Sequence, residues 1–502
     1  MPETPRTSPS SIQPATSTTR RRLRVLLRIT ALALVSFLIW FAAMTWSVVR
    51  APVIKKESPL VVNDVSQLNP IQVNEVITPT STAEIVDAVK QHPGPISIGG
   101  ARHSMGGQIA TAGALFIDMR QFNRILNFSP ADKTITVQAG TRWRQIQEHI
   151  DAWNLSVKIM QSYANFTVGG SLSVNAHGRY VGLGPIIMSV KSLKVVLADG
   201  AIVDASPTQN SDIFNGVIGG YGALGVIVEA TLELTDNVKI KRQTQMMAVT
   251  EYKQFFFDRI RGDSQAVFHN ANIFPPDYTT MRAVTYSISN DPLTIPDRLT
   301  PAGQAYRLDR FGWWVVSEWP FGDSIRRNFF EPVYLDGDTV TWRNYEASYD
   351  TAELEPASRE SSTYVLAEYF VPVDRFDDFV AKMQLIFRQH NPNILNLSVR
   401  HARQDPGSLL AWARTEVFAF VIYYKQGTSD ADRTEVGIWT RKLIDAALDL
   451  DGSYYLPYQL HATPEQFRRA YPRASDFLAL KRRLDPTNKF RNEFLDKYLH
   501  PG

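Results

Sequence analysis

Residues 96–108 read Ile96-Ser97-Ile98-Gly99-Gly100-Ala101-Arg102-His103-Ser104-Met105-Gly106-Gly107-Gln108. A short apolar strand runs straight into a glycine-rich loop that carries an imidazole. Glycine lets backbone approach a ligand closely, and successive backbone N–H groups in such turns make anion-binding nests. Two further glycine-rich segments follow. One is Val168-Gly169-Gly170-Ser171-Leu172-Ser173-Val174-Asn175-Ala176-His177-Gly178, the other Gly219-Gly220-Tyr221-Gly222-Ala223-Leu224-Gly225-Val226-Ile227. Each alone is a turn. Three in one region, one with an embedded His-Ser, point to a ligand with a pyrophosphate. No Gly-x-Gly-x-x-Gly sits on an early βαβ unit, so a Rossmann site is not indicated.

Outward from these loops the pattern is mixed. Ser81-Thr82-Ala83-Glu84 fits a capping box ahead of apolar Ile85, Val86 and Val89 at helical spacing. Leu115–Met119, Thr134–Val137 and Val226–Leu234 read as strands, and Thr141 opens an amphipathic helix running to about Trp153. Asp199-Gly200 joins Leu193–Leu197 to Ala201–Val203 as a hairpin. Past Asp236 the chain is richer in Arg, aromatics and loops up to residue 350. Strands are then expected at Glu368–Pro372, Ile394–Arg400 and Val417–Tyr424, with a helix over Phe376–Gln389. The class predicted is α+β. One domain is expected over residues 62–237 and a second over 238–454. A basic, helical C-terminal segment over 455–502 is broken at Asp485-Pro486-Thr487-Asn488.

Composition narrows the chemistry. The 502 residues contain no cysteine, which excludes disulfides, iron–sulfur clusters, thiolate zinc and a Cys nucleophile. No metal site is expected. The formal charge is only +3, against a nucleic-acid binder. Residues 1–28 hold six arginines against one glutamate, so the remainder of the chain is slightly acidic at −2.

That basic stretch reads as a disordered cytoplasmic tail ahead of an uncharged apolar run, Ile29–Val49, of 21 residues. The run is long enough to cross a bilayer, and the arginines would keep the N-terminus in the cytoplasm. It exceeds the h-region of a signal peptide, and no clean small-x-small site follows it. A retained anchor is therefore expected, with the body of the chain on the extracytoplasmic, periplasmic side.

In their order, the three glycine segments resemble the FAD-binding domain of the vanillyl-alcohol oxidase / p-cresol methylhydroxylase (PCMH-type) superfamily. His103-Ser104-Met105-Gly106-Gly107-Gln108 is similar to the loop of cytokinin dehydrogenases, and Ala176-His177-Gly178 to that of galactonolactone dehydrogenases. The tail, Phe467-Arg468-Arg469-Ala470-Tyr471-Pro472-Arg473 and Leu484 through Asn492, resembles that of aldonolactone and alditol oxidases and of decaprenylphosphoryl-ribose oxidase. The resemblance implies two small sheets with helices holding FAD, then an antiparallel-sheet substrate domain, with the C-terminal segment returning to the FAD domain. Gly99, Gly100, Ala101, Arg102, His103, Ser104, Gly107, Gln108, Gly169, Gly170, Ser171, Asn175, His177, Gly220, Gly222, Gly225, Val226, Ile227 and Asn492 are the implied cofactor residues. His103 stands where family members bond the flavin 8α-methyl carbon covalently; the alternative is a histidine that only hydrogen-bonds its loop. Without cysteine, a two-point His-plus-Cys linkage is excluded.

The same resemblance implies hydride transfer from a small-molecule substrate to flavin N5, then reoxidation by oxygen or a membrane electron acceptor. Arg400 corresponds to the Arg of a Glu-x-Arg pair, with Ser398 in the Glu position. Glu368 is a further candidate. The lysine of the sugar-oxidase motif is missing: the stretch reads Leu456-Pro457-Tyr458-Gln459-Leu460-His461, so Tyr458 or His461 would have to handle the hydroxyl proton. A carbinol substrate is expected. The rivals are amine oxidation, as in cytokinin dehydrogenases, and a flavin-fold envelope protein without catalysis.

Overall fold

The computed structural model describes residues 17–49 and 58–499 of the chain. Three sheets carry the body. The first is parallel, with Leu115–Asp118 between Glu75–Ile77 and Ile96–Gly99. Its helix, Thr82–Gln91, starts as the capping box predicts: Ser81 Oγ accepts the Glu84 N–H, and Ile85 and Val89 are buried. The second sheet is antiparallel around a central strand, Val226–Asp236. That strand lies between Val190–Val196 and Thr134–Gln138, with Ile202–Ala205 and Ile125–Ser129 at the edges.

The third sheet has eight antiparallel strands in the order 339–342, 239–248, 280–288, 266–273, 393–402, 417–427, 362–372 and 453–454. Helices Val249–Arg259, Phe376–His390 and Asp430–Leu448 cover one face. The period of two along each strand divides its side chains between two tasks. Phe418, Phe420 and Tyr424 meet Phe376, Phe379 and Trp439 of those helices. Val421 and Tyr423 point the other way, into a cavity shared with the first two sheets. Two small sheets with helices followed by an antiparallel sheet is the α+β architecture expected. The stretch 238–350, which reads as loop-rich, contributes four of the eight strands. Strand Lys239–Ala248 lies next to the edge with much of its length half-exposed, so its Lys, Arg and Gln residues blur the alternation.

Residues 485–499 return to the first sheet. The Ile96 N–H donates to Lys489 O (2.6 Å) and the Arg491 N–H to Ile96 O (2.9 Å), extending the parallel sheet by a bridge at Phe490. The turn that redirects the chain is held by a buried ion pair, Lys481–Asp485 (2.5 Å), with side chains 3% and 0% exposed. Asp485 also accepts the N–H groups of Lys489 and Phe490.

At the other end, one helix spans Ser17–Val49. It begins before the expected boundary at residue 29, so residues 17–28 are helical and not a disordered tail. No proline occurs between Pro14 and Pro52, and Arg and Leu are good helix formers. The part of the tail over residues 1–16 lies outside the described residues. The uncharged run Ile29–Val49 lies wholly within this helix, whose apolar window is 25 residues long.

Removing the carboxylate of the buried pair leaves the Lys481 ammonium without its counter-ion, with the Phe490 carbonyl oxygen (2.9 Å) still accepting from it. Asp485→Ala is therefore expected to cost about 3–5 kcal/mol in urea unfolding. A cost below about 1 kcal/mol would show that this turn does not hold the C-terminal segment.

Candidate functional site

The cavity lies between the glycine-rich segments and the free face of the eight-stranded sheet. Gly100 through Ser104 and Gln108 form one wall, Gly169 through Ser171 a second, and Gly222, Gly225 and Ile227 a third. The middle segment is not an open turn. Val168–Ser173 is a short helix, and Gly169 is required because a Cβ there would meet the Ala139 Cβ at 2.8 Å. Gly225, at φ +153°, passes so close to the neighbouring strand that a Cβ would lie 2.6 Å from Val196 O.

Six of the expected cofactor residues do not line this cavity. Gly99 packs on Phe116, Gly220 crowds Gly216 O and Gly107 borders Glu493, while Val226 is buried where its strand begins. Asn175 bonds Asp405 and Ser408, tying the loop 403–413 beneath the site. Asn492 caps helix Glu493–Tyr498 and donates to Tyr221 O (2.9 Å), so it supports a cavity residue from behind. Their small or polar character follows from packing and capping.

His103 stacks on Phe166 with ring centroids 4.1 Å apart. Its Nε2 lies 3.3 Å from both Thr351 Oγ1 and Asn165 Nδ2, while its Nδ1 is buried with no partner among the described residues. Burial, reinforced by Arg142, brings its pKa down to about 4, so the ring is neutral near pH 7.

The eight-stranded sheet contributes rows of side chains two residues apart. Asn396, Ser398 and Arg400 come from one strand, and Tyr364, Leu366 and Glu368 from another, with Val421 and Tyr423 between them. Ser398, Val421 and Glu368 stand in one register across three strands. Glu368 is 3% exposed. Its Oε1 lies 2.6 Å from His177 Nε2, and its Oε2 accepts the Tyr458 hydroxyl at 3.3 Å. His177 Nδ1 faces Gly178 O at 3.1 Å. A carbonyl oxygen only accepts, so Nδ1 carries a hydrogen and one further proton is held between the imidazole and the carboxylate. Burial and the Glu368 charge push the Tyr458 phenol well above its ordinary pKa, with Arg400 opposing. The pKa of the Arg400 guanidinium is itself lowered by burial, with Glu368 opposing, and its Nε has no partner among the described residues.

Tyr458 is placed by the first glycine loop. Gln108 Nε2 donates to Leu456 O (2.7 Å) and Tyr458 O (2.8 Å), and the Met105 N–H donates to Pro457 O (2.7 Å). Gln459 instead turns its amide to Met105 O. His461 does not reach the cavity. It lies behind the strand carrying Glu368, near Arg441 and Lys497, where burial first and those cations second bring its pKa down to about 4. The two-residue step from Gln459 and the turn after it carry its ring away from the site.

Several cavity residues gave no sequence signal: Gln161, Tyr163, Thr351, Glu355, Arg359 and Tyr455. Tyr163 lies shortly before the second glycine segment and was within reach of a wider reading. Thr351, Glu355 and Arg359 come from a connection with no motif, which only the tertiary fold brings over His103.

The residues present fit FAD. Four buried polar atoms without partners among the described residues, His103 Nδ1, Ser162 Oγ, Thr167 Oγ1 and Arg400 Nε, belong to residues of this one cavity. At Gly100 a side chain would collide with Thr167, so the cradle is open only as glycine. Fold and site define a flavoprotein oxidoreductase. Residues 73–206 match the FAD binding domain family. An uncharacterized oxidoreductase of the fasciation locus of Rhodococcoides fascians is 30% identical over 38% of this chain and 44% of that one. The L-gulonolactone oxidase of Mus musculus is 20% identical, and the alditol oxidase of a Streptomyces species 25% identical, each over 84% of this chain and 94% of its own length. These matches support the PCMH-type FAD oxidase superfamily, and the chain is an FAD-dependent oxidoreductase.

One buried acid beside the cavity gives a pH signature. Burial, with Asp309 and Glu346 nearby, raises Glu353 to about 7, against its hydrogen bond with Tyr163. A carboxyl raised in the folded state favours folding at low pH and loses that advantage as pH rises through its folded pKa. Thermal midpoints should therefore fall between about pH 5 and pH 8, and Glu353→Gln should flatten that fall. Equal slopes in the two proteins would remove the buried proton.

Proposed function

We propose that this protein oxidises a carbinol group of a sugar, polyol or lactone-like substrate, and that His103 holds the flavin covalently. The observation that carries the reading is the chain Tyr458–Glu368–His177 in the cavity wall, with its carboxylate placed to take a proton. FAD, when bound, supplies the hydride acceptor, and oxygen or a membrane carrier removes the electrons. Gly100–Ser104, Gly169–Ser171, Gly222 and Gly225 would hold the cofactor. Everything else belongs to the chain's own side chains.

As a carbinol carbon loses hydride, its hydroxyl must lose a proton. The Tyr458 phenol is too weak an acid to serve as a standing base. It works as a relay: its oxygen takes the substrate proton while its own proton passes to Glu368 Oε2. His177 steadies the carboxylate through Oε1. Arg400, a cation lining the cavity whose Nε has no partner among the described residues, stabilises the oxyanion that develops on the substrate. Asn396, Ser398, Glu355 and Arg359 offer hydrogen bonds suited to a polyhydroxylated molecule, and this polar wall favours a carbinol over a hydrophobic secondary amine. The named activities of the gulonolactone and alditol oxidases agree with this class. We place the enzyme on the extracytoplasmic side of a membrane, held by helix Ser17–Val49. The arginine cluster and the uncharged run support that topology.

Tyr458→Phe should keep the flavin absorbance and lower the rate of flavin reduction by polyols or lactones by about 10²–10⁴-fold. An unchanged rate removes the relay, and bleaching by secondary amines but not by polyols or lactones removes the carbinol class. Acid precipitation should leave flavin with the wild-type pellet and release it from His103→Ala. Flavin in the wild-type supernatant would exclude the bond.

A further inference from the structure

The helix Ser17–Val49 does not leave the body at its end. Phe41, Met44, Thr45 and Val48, at the i, i+3, i+4, i+7 spacing of one face, are sheltered near its end together with the terminal Val49. This face packs on helix Arg307–Glu318, with Phe41 against Trp319 at 5.7 Å. Phe41 lies eight residues before the end of the helix, about 12 Å along its axis. Whatever packs there shares the depth of the last turns of the apolar run.

The segment that packs there is itself apolar on the outside. Leu308, Phe321, Phe329 and Val333 are 76%, 81%, 66% and 81% exposed, the four most exposed large hydrophobic side chains of the described residues beyond the N-terminal helix. All come from one helical insert, residues 307–335. Its inner face is secured: Val316 and Trp313 pack with Tyr364, Leu395 and Tyr423, and Arg326 bonds Glu331 (2.7 Å), Asn396 (2.7 Å) and Leu395 O. The outward apolar face is thus a rigid surface and not a frayed end. Trp319, which meets Phe41 of the N-terminal helix, has Trp314 beside it at 6.0 Å, and Arg307 and Arg327 neighbour the apolar Leu308 and Phe329 along the chain. Aromatic rings and arginines in that position suit the bilayer interface, where rings sit at headgroup level and long cations reach back to phosphates.

We propose that residues 307–335 form a second membrane contact, a monotopic surface that inserts Leu308, Phe321, Phe329 and Val333 into the lipid leaflet beside the N-terminal helix. The occupant is the bilayer, because the patch is continuous with a helix of spanning length that packs directly on it. Trp313, on the same insert, lines the cavity, so docking places that end of the site beside the headgroups. The inference rests on the membrane-anchor reading above.

The cysteine-free chain makes a direct test practical. Single cysteines at Phe321→Cys, Phe329→Cys and Val333→Cys in the full chain, spin-labelled and reconstituted in phospholipid nanodiscs, report collisions with oxygen or with a water-soluble nickel chelate. Leu38→Cys marks the N-terminal helix, and Ile202→Cys an exposed site on the FAD domain. The three insert labels should follow Leu38, favouring oxygen over nickel several-fold, with Ile202 reversed. Insert labels that follow Ile202 while Leu38 stays in lipid would overturn the insert surface and leave the anchor standing. A Leu38 label in water would overturn the anchor, and the insert surface with it. Spin–spin broadening between insert labels of two copies would assign the patch to a second chain and overturn the bilayer as its occupant.

Discussion

The cavity depends on one clamp between distant parts of the chain. Gln108, at the end of the first glycine loop, donates its side-chain amide to the carbonyls of Leu456 and Tyr458, and the Met105 N–H donates to Pro457 O. These bonds are buried, where an unmade donor is costly, so the loop and the C-terminal stretch are placed as one piece. Gly106 lets them approach: a Cβ there would lie 2.3 Å from Tyr458 O. The loop that carries His103 thereby also sets the position of Tyr458.

Around this clamp the domains divide the work by secondary-structure period. On the eight-stranded sheet one set of side chains builds an aromatic core with three helices, and the other set forms a wall with Glu368, Ser398 and Arg400. A one-residue slip in any of these strands would exchange the sets. The aromatic core therefore holds the register of the cavity wall, with Phe418 and Phe420 packed against Phe376 and Phe379. The return of residues 485–499 to the parallel sheet also holds the chain that follows Tyr458: Lys497 donates to Leu460 O and the Tyr498 hydroxyl to Ala462 O (2.8 Å).

Electrostatics in the cavity follow from enclosure. Tyr458 is kept protonated, His103 is kept neutral, and Glu368 is shared between an imidazole and a phenol. In a wetter site each group would titrate by itself. Here the proton has few places to rest, which suits a reaction that must move one hydroxyl proton in step with a hydride.

Much of this was legible in the amino-acid order. The glycine loops, His103, the capping box at Ser81, the Asp199-Gly200 hairpin and the strands of the latter half are local signals, written in turn chemistry and in the period of two. Glu368, Arg400 and Tyr458 were identifiable as candidates, while Tyr163, Thr351 and Arg359 were not, because no motif marks them and their roles arise from residues far away in sequence. His461 misled for the same reason: its chemistry suits a base, but the turn after Tyr458 carries it behind the strand. The outward face of residues 307–335 was hidden too. A run of aromatic residues reads alike whether buried or exposed, and only packing against the N-terminal helix distinguishes the two. Local conformation and ligand type are set by neighbours along the chain. Which side chains share a cavity is set by long-range register and burial, which a linear sequence does not display.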